Sequence, residues 1–261
     1  MNLWRAFVTL VMLSFRRLLW SASTLMVAFP LLGCALFLLR RRYTFGYEGA
    51  AFGDEQIAFG HFSEELVLLL FVSFIMPICA LAYATTSIGG DREDRTLLFL
   101  LVRPIPRWLV VLAKLIATLP LVVGLVVGSF WIYCRLAGPV GRMAFDLYLP
   151  AVFYMTVAYV SLFHLFAVSF RHSTIIALVY SLFMEILIGS MPGIVKRVTV
   201  SFFGKSMIFE MGADHGLQPP NPQWFVPMTT RGAGMALVAI SIAGVLLTLW
   251  IFSRREYRDL T

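Results

Sequence analysis

The chain has 261 residues, of which 60% are hydrophobic and only 13% charged, with a formal net charge of +7. Soluble domains average about 25% charged residues, so this composition excludes a water-soluble globular fold and makes a bilayer the solvent. A modest positive balance on so apolar a chain points to anionic headgroups or an acidic partner, not to nucleic acid.

The N-terminal segment Met1–Arg17 alternates Trp4, Phe7, Leu10, Val11 and Leu13 with Arg5, Arg16 and Arg17. That pattern suits a helix lying at the membrane surface, or a plain extension of the span that follows. Six apolar runs come next: Leu18–Leu39, Leu66–Ile88, Leu109–Tyr133, Leu149–Phe170, Thr174–Met191 and Met235–Phe252. Each has about 18–25 residues, the length a helix needs to cross about 30 Å of hydrocarbon. A β-barrel is excluded, because its strands are about 10 residues long and alternate in polarity. Inside lipid the backbone must satisfy its own hydrogen bonds, so the runs are helices. The expected fold is an all-α integral membrane protein, a single domain over 1–261 with six transmembrane helices.

Six spans place both termini on one side. With that side cytoplasmic, twelve of the 21 Lys and Arg lie inside and nine outside, a weak agreement with the positive-inside rule from which Arg40–Arg42 dissents. Arg16-Arg17 before an apolar run, and Leu31-Leu32-Gly33-Cys34 within it, look like export and lipidation signals. The run continues past Cys34 to Leu39, beyond the about 7–15 residues of a secretory h-region, so the first helix is read as uncleaved.

Cys34, Cys79 and Cys134 sit in or at the end of spans, form no Cys-x-x-Cys and read as small packing residues. The histidines His61, His164, His172 and His215 have no metal-ligand spacing, and no Gly-rich phosphate loop or Gly-x-Ser-x-Gly exists. Nothing in the chain predicts a catalytic site, a metal or a bound nucleotide.

Charge concentrates between the second and third spans: Gly89-Gly90-Asp91-Arg92-Glu93-Asp94-Arg95-Thr96-Leu97, then Arg103-Pro104-Ile105-Pro106-Arg107, then Lys114. Asp91, Glu93 and Asp94 precede a short apolar stretch, where a helix dipole favours acids. Residues before proline avoid the helical region, so Pro104 and Pro106 force a break. Over 89–107 this reads as a short cytoplasmic helix along the inner membrane face; an ordinary solvated loop is the plainer alternative.

This segment resembles the signature of the ABC transporter type-2 permease family: an acid-Arg pair, Gly-Thr-Leu, a few apolar residues, Arg-Pro-x-Ser-Arg, and a Lys seven residues on. Asp91 stands for the acid, and Arg92, Thr96, Leu97, Arg103, Pro104, Arg107 and Lys114 match. Arg95 departs from the glycine and Pro106 from the serine. The tail Phe252-Ser253-Arg254-Arg255-Glu256 is similar to the family's usual ending. The resemblance implies the membrane half of an ATP-driven transporter, most members being exporters, in a prokaryotic cytoplasmic membrane. It implies a coupling helix built from Asp91, Arg92, Glu93, Asp94, Arg95, Thr96, Leu97, Arg103, Pro104, Arg107 and Lys114, docked on a separate ABC ATPase subunit. ATP and Mg would then bind the partner, and a second permease copy or paralogue would complete the assembly within the membrane lipids.

Glu185 is the ionisable residue deep in a span, and a mid-bilayer charge must face protein or water. Thr174, Ser181 and Glu185 share one helical face; Tyr154 and Ser161 share another, with His164 nearby. These six are candidates for the translocation path, or are interhelical hydrogen bonds that glue the bundle. Gly124 and Gly128 form a small-x-x-x-small patch suited to close helix packing, within the chain by preference or across a dimer.

The loop Arg40–Glu65 reads as solvated or substrate-facing. In 192–231, Ile194, Val198, Phe202 and Phe209 recur at helical spacing with Lys196, Arg197 and Lys205 between them, which predicts an amphipathic helix at the outer interface. Pro219-Pro220-Asn221-Pro222 and Trp224-Phe225 follow as a rigid turn with aromatic anchors. By resemblance this region is an external gate; otherwise it is a passive lid. The competing functional classes are an ion-coupled secondary transporter, against which the lack of visible inverted repeats counts, and a non-transporting membrane assembly subunit.

Overall fold

The computed structural model describes residues 3–45, 55–93, 106–188, 195–219 and 225–254, and every regular element among them is helical. α1 (Leu3–Leu19) ends at a turn through Trp20 and Ser21, and α2 (Ala22–Phe45) begins there. Ser21 makes that break: its Oγ accepts the Ser23 N–H at 3.1 Å, and the Thr24 hydroxyl bonds back to the Leu19 carbonyl at 2.9 Å. The expected first span therefore splits. Of the N-terminal segment Met1–Arg17, residues 3–17 belong to a separate helix that packs against the fourth long helix of the chain, not to an extension of the span.

α3 (Glu55–His61) runs without interruption through a π-helical segment, Phe62–Ile75, into α4 (Met76–Glu93). The wider turn is visible where the Met76 N–H bonds to the Phe71 carbonyl and the Ser73 hydroxyl to the Leu68 carbonyl at 2.8 Å, both five residues back. α5 (Arg107–Leu136) and α6 (Pro139–Ser169) form a hairpin. Gly138 joins them at φ 87°, a backbone position that suits glycine, and Pro139 starts α6 where its missing N–H costs nothing. α7 (Ser173–Tyr180) continues as a second π-helical segment, Ser181–Ile188. A 3-10 turn, Val195–Val198, precedes α8 (Val200–Gly212), another, Ala213–His215, follows it, and α9 (Thr230–Arg254) closes the chain.

Among the described residues, five helices are long and apolar enough to cross a membrane: Ser23–Arg40, Gln56–Arg92, Arg107–Leu136, Pro139–Ser169 and Thr230–Arg254. The expected fifth span appears as a shorter apolar helix, Ser173–Met184, within the described residues.

α6 is the hub, packed against α9, α4, α5 and α8. Small residues permit the approach. A Cβ at Gly244 on α9 would sit 3.2 Å from the Ser161 backbone of α6, and one at Gly204 on α8 would overlap Met155. Aromatic rings fill the centre, with Phe71 5.0 Å from Phe130 and Phe130 5.7 Å from Phe145. Cys34, Cys79 and Cys134 are all buried and free. α2 and α9 lie at the rim and leave Met26, Phe29, Leu32, Met235, Ile242 and Leu246 exposed, as lipid as solvent allows.

Two expectations change. The amphipathic pattern of 192–231 does not form one helix: Thr199 interrupts it, its hydroxyl donating to the Lys196 carbonyl and accepting the Phe202 N–H. Val198 is left 64% exposed while Phe202 and Phe209 are buried against the bundle; Ile194 lies outside the described residues. Among the described residues Gly124 and Gly128 pack on no other helix, since a Cβ at either would meet nothing within 4 Å.

The α5–α6 hairpin is closed against backbone, because a Cβ at Gly141 would stand 2.1 Å from the Cys134 carbonyl oxygen, which no side-chain rotation can relieve. Gly141→Ala is expected to destabilise the protein by about 1–3 kcal/mol through overpacking. Thermal unfolding in detergent should show a lowered midpoint, while Gly124→Ala leaves it unchanged.

Candidate functional site: a buried ion cluster at one end of the bundle

Asp91 and Arg92 occupy the last turn of α4, so Asp91 stands near the end of a helix; Asp94 and the apolar stretch after it, where a short helix is expected, lie outside the described residues. An anion at a helix C-terminus is opposed by the dipole and needs cations beside it. Two are supplied from other helices. Arg17, in the last turn of α1, donates to Asp91 Oδ1; Lys114, on α5, donates to Asp91 Oδ2 and also to the Ser87 carbonyl. The Asp91 and Lys114 side chains are only 3% and 5% exposed, whereas Arg17 remains about half in solvent at 46%. The neighbouring Arg92 is buried too, and its guanidinium donates to the Phe170 carbonyl at 3.0 Å, capping the C-terminus of α6. One turn of α4 thus ties the ends of α1, α5 and α6.

The candidate coupling residues divide accordingly. Asp91, Arg92 and Lys114 are interior, whereas Arg107 is exposed at the first position of α5, with Pro106 as its N-cap. Glu93 is the last residue of α4. Asp94, Arg95, Thr96, Leu97, Arg103 and Pro104 lie outside the described residues. Arg17 was missed from the sequence. Its only signal was a basic pair ending an amphipathic helix, and its partner lies 74 residues away.

The path candidates do not share one environment. Tyr154 is 37% exposed and lines a groove between α5 and α6. Ser161 and His164 are fully buried; the Ser161 hydroxyl donates to the Val157 carbonyl, and His164 Nδ1 pairs with the Val160 carbonyl at 2.9 Å. His164 Nε2 has no hydrogen-bond partner among the described residues. Thr174 Oγ1 meets Thr85 Oγ1 at 3.1 Å, an interhelical bond between α7 and α4. Ser181 is buried at the start of the second π-helical segment, which also contains Glu185. No group of three metal-ligating side chains occurs among the described residues.

At the opposite end, the Ser63 hydroxyl bonds the Tyr148 hydroxyl at 3.0 Å, and the Lys196 ammonium lies 4.6 Å from the Phe225 ring centre. Aromatic and hydroxyl contacts meet at that end, while Asp91, Arg17 and Lys114 meet at the other.

Residues 17–210 match the sequence model of the family described as ABC-2 family transporter protein. The matched stretch begins at Arg17 and contains the whole ion cluster. The chain belongs to the ABC-2 transporter family. It is accordingly a multi-pass integral membrane protein and a permease subunit of an ABC transporter. No curated protein matches it.

Removing one member of a buried pair strands the other, at a cost of about 3–5 kcal/mol. Asp91→Asn should therefore destabilise this ABC-2 permease strongly in a thermal unfolding assay. The double variant Asp91→Leu with Lys114→Met should recover most of the loss, because it buries no stranded charge and Arg17 can turn to solvent.

Proposed function

We propose that this permease is the membrane half of an ATP-driven exporter and that a separate ABC ATPase subunit drives it from the segment between α4 and α5. The observation that carries this reading is the ion cluster. A force applied to that segment meets the last turn of α4, and Asp91, Arg92, Arg17 and Lys114 join that turn to the ends of three other helices. Rigid transmission through paired, buried groups suits a chain that must be moved by a soluble motor. In this reading Asp91, Arg92 and Lys114 hold the coupling segment in place, and the exposed Arg107 is a contact for the ATPase, a role proposed also for Asp94, Arg95, Thr96 and Arg103.

The Asp91 end is then cytoplasmic. The shorter helix beginning at Ser173 serves as the fifth of six crossings, which puts both termini in the cytoplasm. ATP and Mg bind the partner subunit, and a second permease, identical or paralogous, completes the transporter. Ser181 and Glu185 lie on a π-helical segment, a geometry that recurs at functional sites, and are the path residues this reading favours.

Affinity capture of the tagged chain from native membranes tests the coupling. An ABC ATPase should copurify, and Arg107→Glu should abolish its recovery without changing the unfolding midpoint of the permease. Absence of any ATPase, together with transport driven by an ion gradient, would overturn the proposal in favour of a secondary transporter.

A further inference from the structure

A groove of 880 Å³ runs along the membrane-facing side of the α5–α6 hairpin, and no charged residue lines it. Gly124 and Gly128 form its floor, with Phe153 and Tyr154 on the α6 side. Past Trp131 and Phe145, which line both spaces, it continues into a polar recess of 360 Å³ bounded by Arg135, Arg142 and Asp146. All three of these side chains are exposed, and the Arg135 guanidinium lies 5.3 Å from the Trp131 ring centre. The recess thus has two cations against one anion, at the end of the helices where a tryptophan marks headgroup depth.

Dimensions and charge together select the occupant. From Gly124 to Arg135 the helix rises about 16 Å, close to the roughly 15 Å of one leaflet's hydrocarbon. An apolar channel of that length with a basic mouth matches an acyl chain carrying a phosphate at its head. Guanidinium groups from two helices can grip phosphate oxygens through charge-assisted hydrogen bonds. We propose that the α5–α6 hairpin binds one anionic phospholipid, with the phosphate held by Arg135 and Arg142 and an acyl chain laid along the Gly124–Gly128 groove. The site is independent of the ion cluster and of the coupling reading, because it lies at the opposite end of α5.

Native mass spectrometry of the full chain in detergent, titrated with phosphatidylglycerol or with phosphatidylethanolamine, tests the site. Phosphatidylglycerol should be retained selectively. Arg135→Gln with Arg142→Gln should weaken its retention by about tenfold or more. Gly128→Leu, which fills open space, should weaken retention of both lipids. Phosphatidylglycerol should also raise the thermal unfolding midpoint of the parent protein, where inorganic phosphate does not. Equal retention of the two lipids, or unchanged retention in the arginine variant, would overturn the proposal. So would a Gly128→Leu variant that loses self-association but keeps its lipid, since the groove would then belong to a second copy of the chain.

Discussion

One buried carboxylate organises the Asp91 end of this bundle. Asp91 sits at the C-terminus of α4, where the helix dipole opposes it, in an interior where an unpaired charge is not tolerated. Arg17 and Lys114 reach it from two other helices and offset both penalties. The same requirement makes the cluster a clamp: α1, α4 and α5 cannot separate at this end without stranding a charge. Arg92 extends the clamp to α6 by capping its last turn. A family signature that looks in sequence like a run of surface charge is, at its first acidic residue and its distant lysine, part of the protein interior.

The remainder of the bundle follows from lipid as solvent. Apolar side chains gain nothing from burial against other apolar side chains in a membrane, so packing depends on small residues and short hydrogen bonds. Gly204 and Gly244 bring α8 and α9 close onto α6, and Gly141 of α6 admits the Cys134 carbonyl of α5. The Tyr133 hydroxyl reaches the Leu31 carbonyl of α2 at 2.7 Å, and Tyr83 reaches Thr24 at 3.2 Å. Such bonds secure α2, which otherwise presents most of its surface to lipid. Where the small residues find no partner, as at Gly124 and Gly128, a groove remains for the lipid itself.

The helical class and most of the crossings were legible because a bilayer demands about 20 apolar residues in succession. The break between α1 and α2 was not, since Leu18, Leu19 and Trp20 continue the apolar run; only the local bonds of Ser21 and Thr24 end the helix. The two π-helical segments left no trace in the pattern, because an apolar sequence fits either helical period in lipid. At the Asp91 end, Asp91, Arg92 and Lys114 stood out in the sequence by their motif, but their burial did not show in it. Arg17 was legible only as a basic residue, because a contact across 74 positions has no local spacing to announce it. In 192–231 the periodic face misled, since Thr199 can satisfy backbone groups with its own hydroxyl and so restarts the helix.

The central claim is that Asp91 acts by holding helices together rather than by touching a partner. Because Cys34, Cys79 and Cys134 are buried, spin labels can be directed to exposed positions on α1 and α5 through Met12→Cys and Trp108→Cys. Pulsed electron resonance on this pair in lipid nanodiscs should give one narrow distance distribution for the parent and a clearly broadened or shifted one for Asp91→Asn. Identical distributions in the two proteins would contradict the account, for the helix ends would then keep their places without the carboxylate.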